Sequence, residues 1–371
     1  MMRVMIAGGG TAGHTNPGIA VAESLVKMGL SPDEIGFVGS TRGNEATLVP
    51  AAGFHLDVLA GRGIPRSFSV AAVRSVGELL RGGLSAIPLL RRRRPEVVLC
   101  LGGFAAFAPS VAALLLRIPV VVTEQNARAS LVNRIIGRFA AASAIPFPPT
   151  QLPRAVLCGN PTRHEVTSLL ADHSSERRAA ARQRFGVRDD ATVLIGIWAG
   201  SLGADSVNRA ARELASTWRH RSSISIHHVV GRRNPGALAP LEGDGGLVYR
   251  TVPYENDMPE LLLAADLAVT RGGASTVAEL SIANLPAVIV PLPKAPRDHQ
   301  RANAMEVVSA GKGVIIDDDD LSGAVLAEAL EPLLHATART AMRNATPSVD
   351  HSRAADEVAK LVLVHLRVGG Q

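Results

Sequence analysis

Residues 7–18 read AGGGTAGHTNPG and follow the short apolar run Val4-Met5-Ile6. Gly8-x-Gly10-x-x-Gly13 is a spacing that lets main-chain amides approach a pyrophosphate at a helix N-terminus. A dinucleotide loop needs only the glycines, whereas this one adds His14 and, three residues on, Pro17. Imidazoles titrate near neutrality, so one beside a phosphate loop can donate to the anion or take a proton from a substrate hydroxyl. Pro17 suits the first position of a helix, which predicts a longer loop than dinucleotide folds use. Those folds also want a carboxylate about 20 residues on, at the end of the second strand. Here that stretch is Gly39-Ser40-Thr41-Arg42. Arg42 suits a 2′-phosphate, so an NADP-dependent oxidoreductase stands as the alternative.

Further sites lie downstream. AGSLG at 199–203 nearly matches a nucleophile elbow around Ser201, but a loop whose amides and hydroxyl hold a phosphate explains it more simply. TRGGASTVAEL at 270–280 reads as strand, glycine turn and helix. There Glu279 either accepts both hydroxyls of a ribose or closes a capping box with Thr276. Glu124, Gln125 and Asn126 end a buried strand, where ligands bind in parallel sheets. PRDHQRANA at 296–304 follows another strand. Asp317–Asp320 cannot all face one ion, and Asp320 suits a helix cap, so no metal site is expected.

These loops need a scaffold. Short β-branched runs (4–7, 35–38, 97–101, 120–123) alternate with helical patterns, and the alternation restarts after CGNPTR at 158–163. That predicts an α/β chain of two doubly wound parallel-sheet domains, 1–160 and 161–349, with a last helix in about 350–371. With 371 residues, 47% hydrophobic and 19% charged, each domain can bury its own core and disorder is excluded. The uncharged stretch 97–116 contains Gly102-Gly103 and Pro109, so it reads as strand, turn and helix rather than a membrane span. Two cysteines exclude a disulfide framework, and the N-terminus carries no signal-peptide pattern. Residues 1–159 hold 16 Lys and Arg against 8 Asp and Glu; the remainder holds 23 against 25. The basic half points to an anionic partner. With 3% aromatics and no nucleic-acid motif, nucleic acid is not that partner, which leaves a membrane surface, or else a solvated arginine run that closes a helix before Pro95.

The opening loop, TEQNARASLVNR, GNPTR, GSLGADSVN, RGGASTVAEL and HQRANA occur in an order that resembles the MurG-type glycosyltransferases of family 28, over roughly residues 3–316. The resemblance implies a GT-B fold, two Rossmann-like domains facing a deep cleft, with the last helix packed back on the first domain. It implies an N-acetylglucosaminyltransferase that moves GlcNAc, with inversion, from UDP-GlcNAc to the 4-hydroxyl of undecaprenyl-pyrophosphoryl-MurNAc-pentapeptide (lipid I) to form lipid II, without a cofactor. A different GT-B transferase with a lipid acceptor is the nearer alternative. Carried over by position, Thr11, Ala12 and Gly13 lie near the donor sugar and diphosphate, with Asn126 on the sugar. His14 or Glu124 is the base. Arg163 and Ser201 surround the diphosphate, and the backbone at Glu255 reads the uracil. Arg271 and the run Ala274, Ser275, Thr276, Val277, Ala278 and Glu279 hold the nucleotide, and Gln300 meets sugar hydroxyls. The chain departs from the family pattern at Ala12, Phe104, Leu202 and His299.

Such an enzyme would work peripherally at the cytoplasmic face of the bacterial membrane, with other cell-wall and division proteins as possible partners. Residues 67–94 combine Leu84, Ile87, Leu89 and Leu90 with Arg74, Arg81 and Arg91–Arg94, a composition that suits a helix lying in a membrane interface or the core face of an ordinary helix.

Overall fold

Both faces of each sheet are covered by helices, so the strands are almost uninterrupted apolar runs. The computed structural model describes residues 2–9, 12–39, 43–59, 86–172, 174–187, 189, 191–233 and 246–366. Gly10, Thr11, Arg42 and the 67–85 part of the expected interfacial segment fall outside them. The chain divides into two compact units, Met1–His164 with Val349–Gln371, and Glu165–Ser348.

The first unit carries a seven-stranded, all-parallel sheet. Its strands are β1 (Val4–Ala7), β2 (Ile35–Gly39), β3 (His55–Val58), β4 (Val97–Cys100), β5 (Val120–Thr123), β6 (Ala142–Ile145) and β7 (Ala155–Leu157), in the order β3-β2-β1-β4-β5-β6-β7. Alternation along β1 sorts the core. Val4 and Ile6 join Ile19 and Leu25 of α1 (Ala12–Lys27) and Val49 of α2 (Glu45–Ala51). Met5 and Ala7 join the opposite layer, made by α3 (86–93), α4 (Gly103–Leu115) and α5 (Leu131–Ile136). The terminal helix α14 (Ala354–Val364, numbered last in chain order) lays Val358, Ala359 and Val362 into the α1 layer.

Three local expectations are corrected here. Pro17 lies inside α1, which already begins at Ala12, so the loop after β1 is short. The ring removes the amide that would bond the Gly13 carbonyl, a loss confined to the first turns. Leu89 and Leu90 are core residues of α3 packed on the sheet, not side chains offered to a membrane. Within the arginine run, Arg93 forms a bidentate pair with Asp57, at 2.7 Å to each oxygen. The basic run is thus partly structural.

The second unit contributes α6 (His164–Ala171, whose first residue closes the first unit), α7 (Ser175–Arg184), β8 (Val193–Trp198), α8 (Asp205–Thr217), β9 (Ile224–Val229) and β10 (Val248–Val252). It continues with α9 (Met258–Ala264), β11 (Leu267–Thr270), α10 (Ala274–Ile282), β12 (Ala287–Ile289), α11 (His299–Ser309), β13 (Gly313–Ile315), α12 (Gly323–Leu330) and α13 (Ala336–Asn344). Its six parallel strands run β10-β9-β8-β11-β12-β13. Ser322, not Asp320, caps α12: its hydroxyl accepts from Val325 N at 3.3 Å. Asp318 instead takes bonds from Ser206 and Arg271.

Candidate active site

In each sheet the strand order reverses once, between β1 and β4 and between β8 and β11. Ligands of such sheets bind where that reversal opens a crevice beyond the strand ends. In the first unit, Gly8 and Gly9 follow β1 and Gly102-Gly103 follow β4. A Cβ on Gly8 would sit 2.6 Å from Leu101 Cβ, and one on Gly9 would meet the buried Glu45 carboxyl at 2.3 Å, so bare backbone is required at both. His14 stands in the first turn of α1, half-buried. Its Nε2 lies 3.8 Å from the place a Cβ on Gly103 would occupy, and Gly103 itself has φ +71°. The imidazole therefore faces the start of α4 at the reversal point. Gly13 is exposed one residue before it.

Glu124 follows β5 and is buried, with 1% exposure. Its Oε1 accepts from the amides of Gln125 and Asn126, both at 3.0 Å, and from Asn126 Nδ2 at 3.2 Å. Its Oε2 accepts from Ser130 N and Asn133 Nδ2, both at 2.8 Å. Five N–H donors occupy the roughly four lone-pair sites of a carboxylate. Sequence reasoning missed Asn133. Its Nδ2 lies 2.9 Å from the Cβ position of Gly102, so it links the Glu124 loop to the turn before α4. Arg163 is half-buried behind the buried pair Pro161-Thr162. Buried Cys100 is inert as a nucleophile, its thiol pushed up to about 11 chiefly by desolvation.

In the second unit the loop after β8 and the loop after β11 flank the reversal. Ser201 is exposed on a turn between Gly200 (φ +79°) and Gly203 (φ +77°). Gly231 leaves room for that turn, since a Cβ there would fall 2.1 Å from Gly203 N. The helix α10 has Gly273 as its N-cap and no side-chain cap, so the capping-box reading of Thr276 and Glu279 fails. Glu279 stands six positions into the helix. Ala274, Ser275, Thr276 and Glu279 are half-buried, whereas Val277 and Ala278 are core, which restricts those two to main-chain contacts. A Cβ on Gly272 would lie 2.3 Å from Gln300 O, and Asn303 Nδ2 donates to Gly272 O at 3.1 Å. Gln300 is thus brought beside the α10 turn, its Oε1 accepting from Leu292 N at 2.9 Å.

Arg271, given to the nucleotide by the resemblance, also has protein partners. It is buried, and its guanidinium donates to Val290 O and Pro291 O at 3.2 Å, to Asp318 and to Ser206 Oγ at 3.1 Å. It welds the exits of β11 and β12 to the first turn of α8. Glu255 lies in the loop after β10 and pairs with His227, 3.0 Å away, a partner the sequence reading did not single out.

The N-terminal domain of glycosyltransferase family 28 matches residues 4–145, and its C-terminal domain matches residues 194–361. A protein of Mycolicibacterium vanbaalenii, named a UDP-N-acetylglucosamine–N-acetylmuramyl-(pentapeptide) pyrophosphoryl-undecaprenol N-acetylglucosamine transferase, is 40% identical over 369 residues, covering 97% of this chain and 89% of its own. One of the same name from Mycobacterium sp. (strain JLS) is 39% identical, covering 97% and 95%. The crystal structure of Acinetobacter baumannii MurG aligns with a TM-score of 0.78 at 26% identity, over 98% of this chain and 100% of that one.

Proposed function

The chain belongs to glycosyltransferase family 28, among the MurG-type N-acetylglucosaminyltransferases, and from that premise we propose how it works. It transfers GlcNAc from UDP-GlcNAc to lipid I and so forms lipid II. The observation that carries the reading is that each unit presents its glycine-opened helix at the strand-order reversal of its own sheet. An NADP-dependent oxidoreductase is set aside by the family.

The second unit takes the nucleotide. Amides at the uncapped start of α10 and in the 200–203 turn, with Ser201, neutralise the diphosphate as it leaves. Glu279 accepts the ribose hydroxyls, the main chain at 254–257 reads the uracil, and Gln300 meets the sugar. The first unit supplies the base, with Arg163 toward the diphosphate. Single displacement requires one group to take the acceptor's 4-hydroxyl proton as the hydroxyl oxygen attacks the anomeric carbon. His14 does this. Glu124, saturated by five donors, instead holds Asn126 for its sugar contact.

The acceptor's polyprenyl tail keeps the reaction at a bilayer, so the enzyme sits peripherally on the membrane. Among the described residues no helix is long and apolar enough to cross one. The face that supports docking is on α5 and the turn after it: Leu131, Ile135 and Phe139 are exposed at four-residue spacing beside exposed Arg134 and Arg138. Incubating the protein with labelled UDP-GlcNAc and a prenyl-pyrophosphoryl-MurNAc-pentapeptide should yield a β-linked disaccharide product. Tight UDP-GlcNAc binding without transfer would overturn the assignment.

A further inference from the structure

Residues 253–257, between β10 and α9, are held by polar ties rather than by packing. Pro253, Tyr254 and Asn256 are exposed. A pocket of about 470 Å³, lined by Phe185, His227, Arg250, Val252, Glu255 and Asp257, adjoins the loop and leaves it incompletely packed. Three contacts hold it. The Arg232 guanidinium stacks 3.9 Å from the Tyr254 ring centroid, and Asp257 pairs with Arg184 at the end of α7. The third is the most buried. Glu255 Oε1 accepts from Asp257 N at 2.9 Å, closing the loop on itself, while Oε2 lies 3.0 Å from His227 Nε2.

His227 is itself closely packed. It sits in β9, buried, with its ring edge-on to Phe185 at 4.9 Å and 75°. Its Nδ1 has no partner among the described residues, so the proton belongs on Nε2 and is donated to Glu255. Two neighbouring histidines thereby serve different purposes, because alternate residues of a strand face opposite ways. His228 bonds Asn208 of α8 on the other face, and His227 reaches the loop.

We infer that His227, acting through Glu255, is a positioning residue that fixes the main chain of 254–257 and with it the preference for uracil. The inference rests on the proposed reading that this segment's backbone reads the base. Uracil presents N–H and C=O groups where cytosine presents a bare nitrogen and an amine. A fixed backbone donor and acceptor reject the swapped pattern because buried groups would be left unpaired. A loop free to shift by about 1 Å loses both affinity and that rejection.

The test is calorimetric titration of UDP and CDP into the full-length protein, with steady-state kinetics alongside. In Glu255→Leu and His227→Leu, UDP affinity should fall roughly tenfold, the scale of one lost hydrogen bond to a charged group. The UDP-to-CDP preference should shrink with it. For His227→Leu, KM for UDP-GlcNAc should rise while kcat at saturation stays within about twofold, since positioning for binding is lost and the base is not. His227→Gln, whose amide can stand where Nε2 stood, should restore UDP affinity to within about threefold. Should His227→Leu fail to fold, Glu255→Ala removes the same bond from the partly exposed side of the pair and should show the same loss. UDP binding and preference unchanged in the folded variants would overturn the inference. A wild-type protein that binds neither nucleotide would instead overturn the functional reading beneath it.

Discussion

Asn133 Nδ2 donates to Glu124 Oε2 at 2.8 Å and also to Thr123 O at 3.1 Å, a buried joint between β5 and α5. Removing either partner strands polar groups where water cannot reach them. Asn133→Ala should destabilise the first unit by about 2–3 kcal/mol, the range for a bond to a charged group plus a stranded partner. Glu124→Gln should slow transfer by loosening Asn126, yet leave the acid limb of the pH–rate profile where it was. If that limb vanishes in Glu124→Gln, Glu124 is the base and His14 is not.

His14→Ala carries the complementary expectation. Loss of a general base lowers kcat by roughly 10²–10⁴-fold. UDP binding, assigned to the second unit, should be untouched. Near-wild-type turnover with both substrates saturating would end the assignment.

Much of the scaffold was legible in advance. Val4–Ala7, Val97–Cys100 and Val120–Thr123 are apolar on both faces, which only a covered parallel sheet requires, and the glycine loops mark where its strands end. What failed to show was partnership across long separations. Glu124 reads as a ligand group because it stands at a strand end, and Arg271 by resemblance, but neither reading reveals their bonds to residues up to 65 positions away. Nothing in the spacing of SISIHHVV links His227 to Glu255, 28 residues on. Leu89 and Leu90 beside four arginines match an interfacial helix and a core helix equally well, and only the sheet beneath them decides.

Arg271 offers a direct test of that distinction. Its Nη1 and Nη2 donate to Asp318, Ser206 and two carbonyls, while Nε is buried with no partner among the described residues. Arg271→Ala breaks a buried pair and leaves Asp318 uncompensated, which should cost the second unit about 3–5 kcal/mol. In Arg271→Ala/Asp318→Ala the loss should be smaller than the sum of the single losses, because the two groups are coupled. A folded, equally stable Arg271→Ala with greatly weakened UDP binding would return Arg271 to the ligand.

Acid should loosen both units through two histidines. His228 bonds Tyr249 Oη at 2.8 Å and Asn208 Oδ1 at 3.0 Å; His351 Nδ1 accepts from Asn160 N at 3.0 Å. Burial, above all, pushes each down to about 4 from an ordinary 6.5. Between those values the unfolded chain binds the proton and the folded chain does not, so stability falls as pH drops from about 6.5 toward 4 and is retained above 6.5. At pH 5 each histidine costs about 2 kcal/mol. Melting at pH 7.5 and pH 5 should show this in both units, and His228→Gln should reduce the second unit's share, leaving that of His227, which burial also pushes down. An equal acid shift in that variant would discard the mechanism.

The docking face proposed on α5 can be tested through its exposed side chains. Phe139 is 68% exposed and follows Leu131 and Ile135 at helical spacing, with Arg134 and Arg138 between them. Apolar side chains flanked by arginines suit the boundary between headgroups and acyl chains. Each basic residue near anionic lipid contributes about 1 kcal/mol, so Arg134→Ser/Arg138→Ser should weaken sedimentation with anionic vesicles by roughly thirtyfold. That loss should shrink as salt rises, because added ions screen it. Leu131→Ser/Ile135→Ser/Phe139→Ser should weaken binding at every salt concentration, since burial of apolar surface is not screened. Replacing Leu89 and Leu90 should unfold the α3 layer rather than release the protein from lipid. Vesicle binding that survives both surface variants would move the docking face off α5.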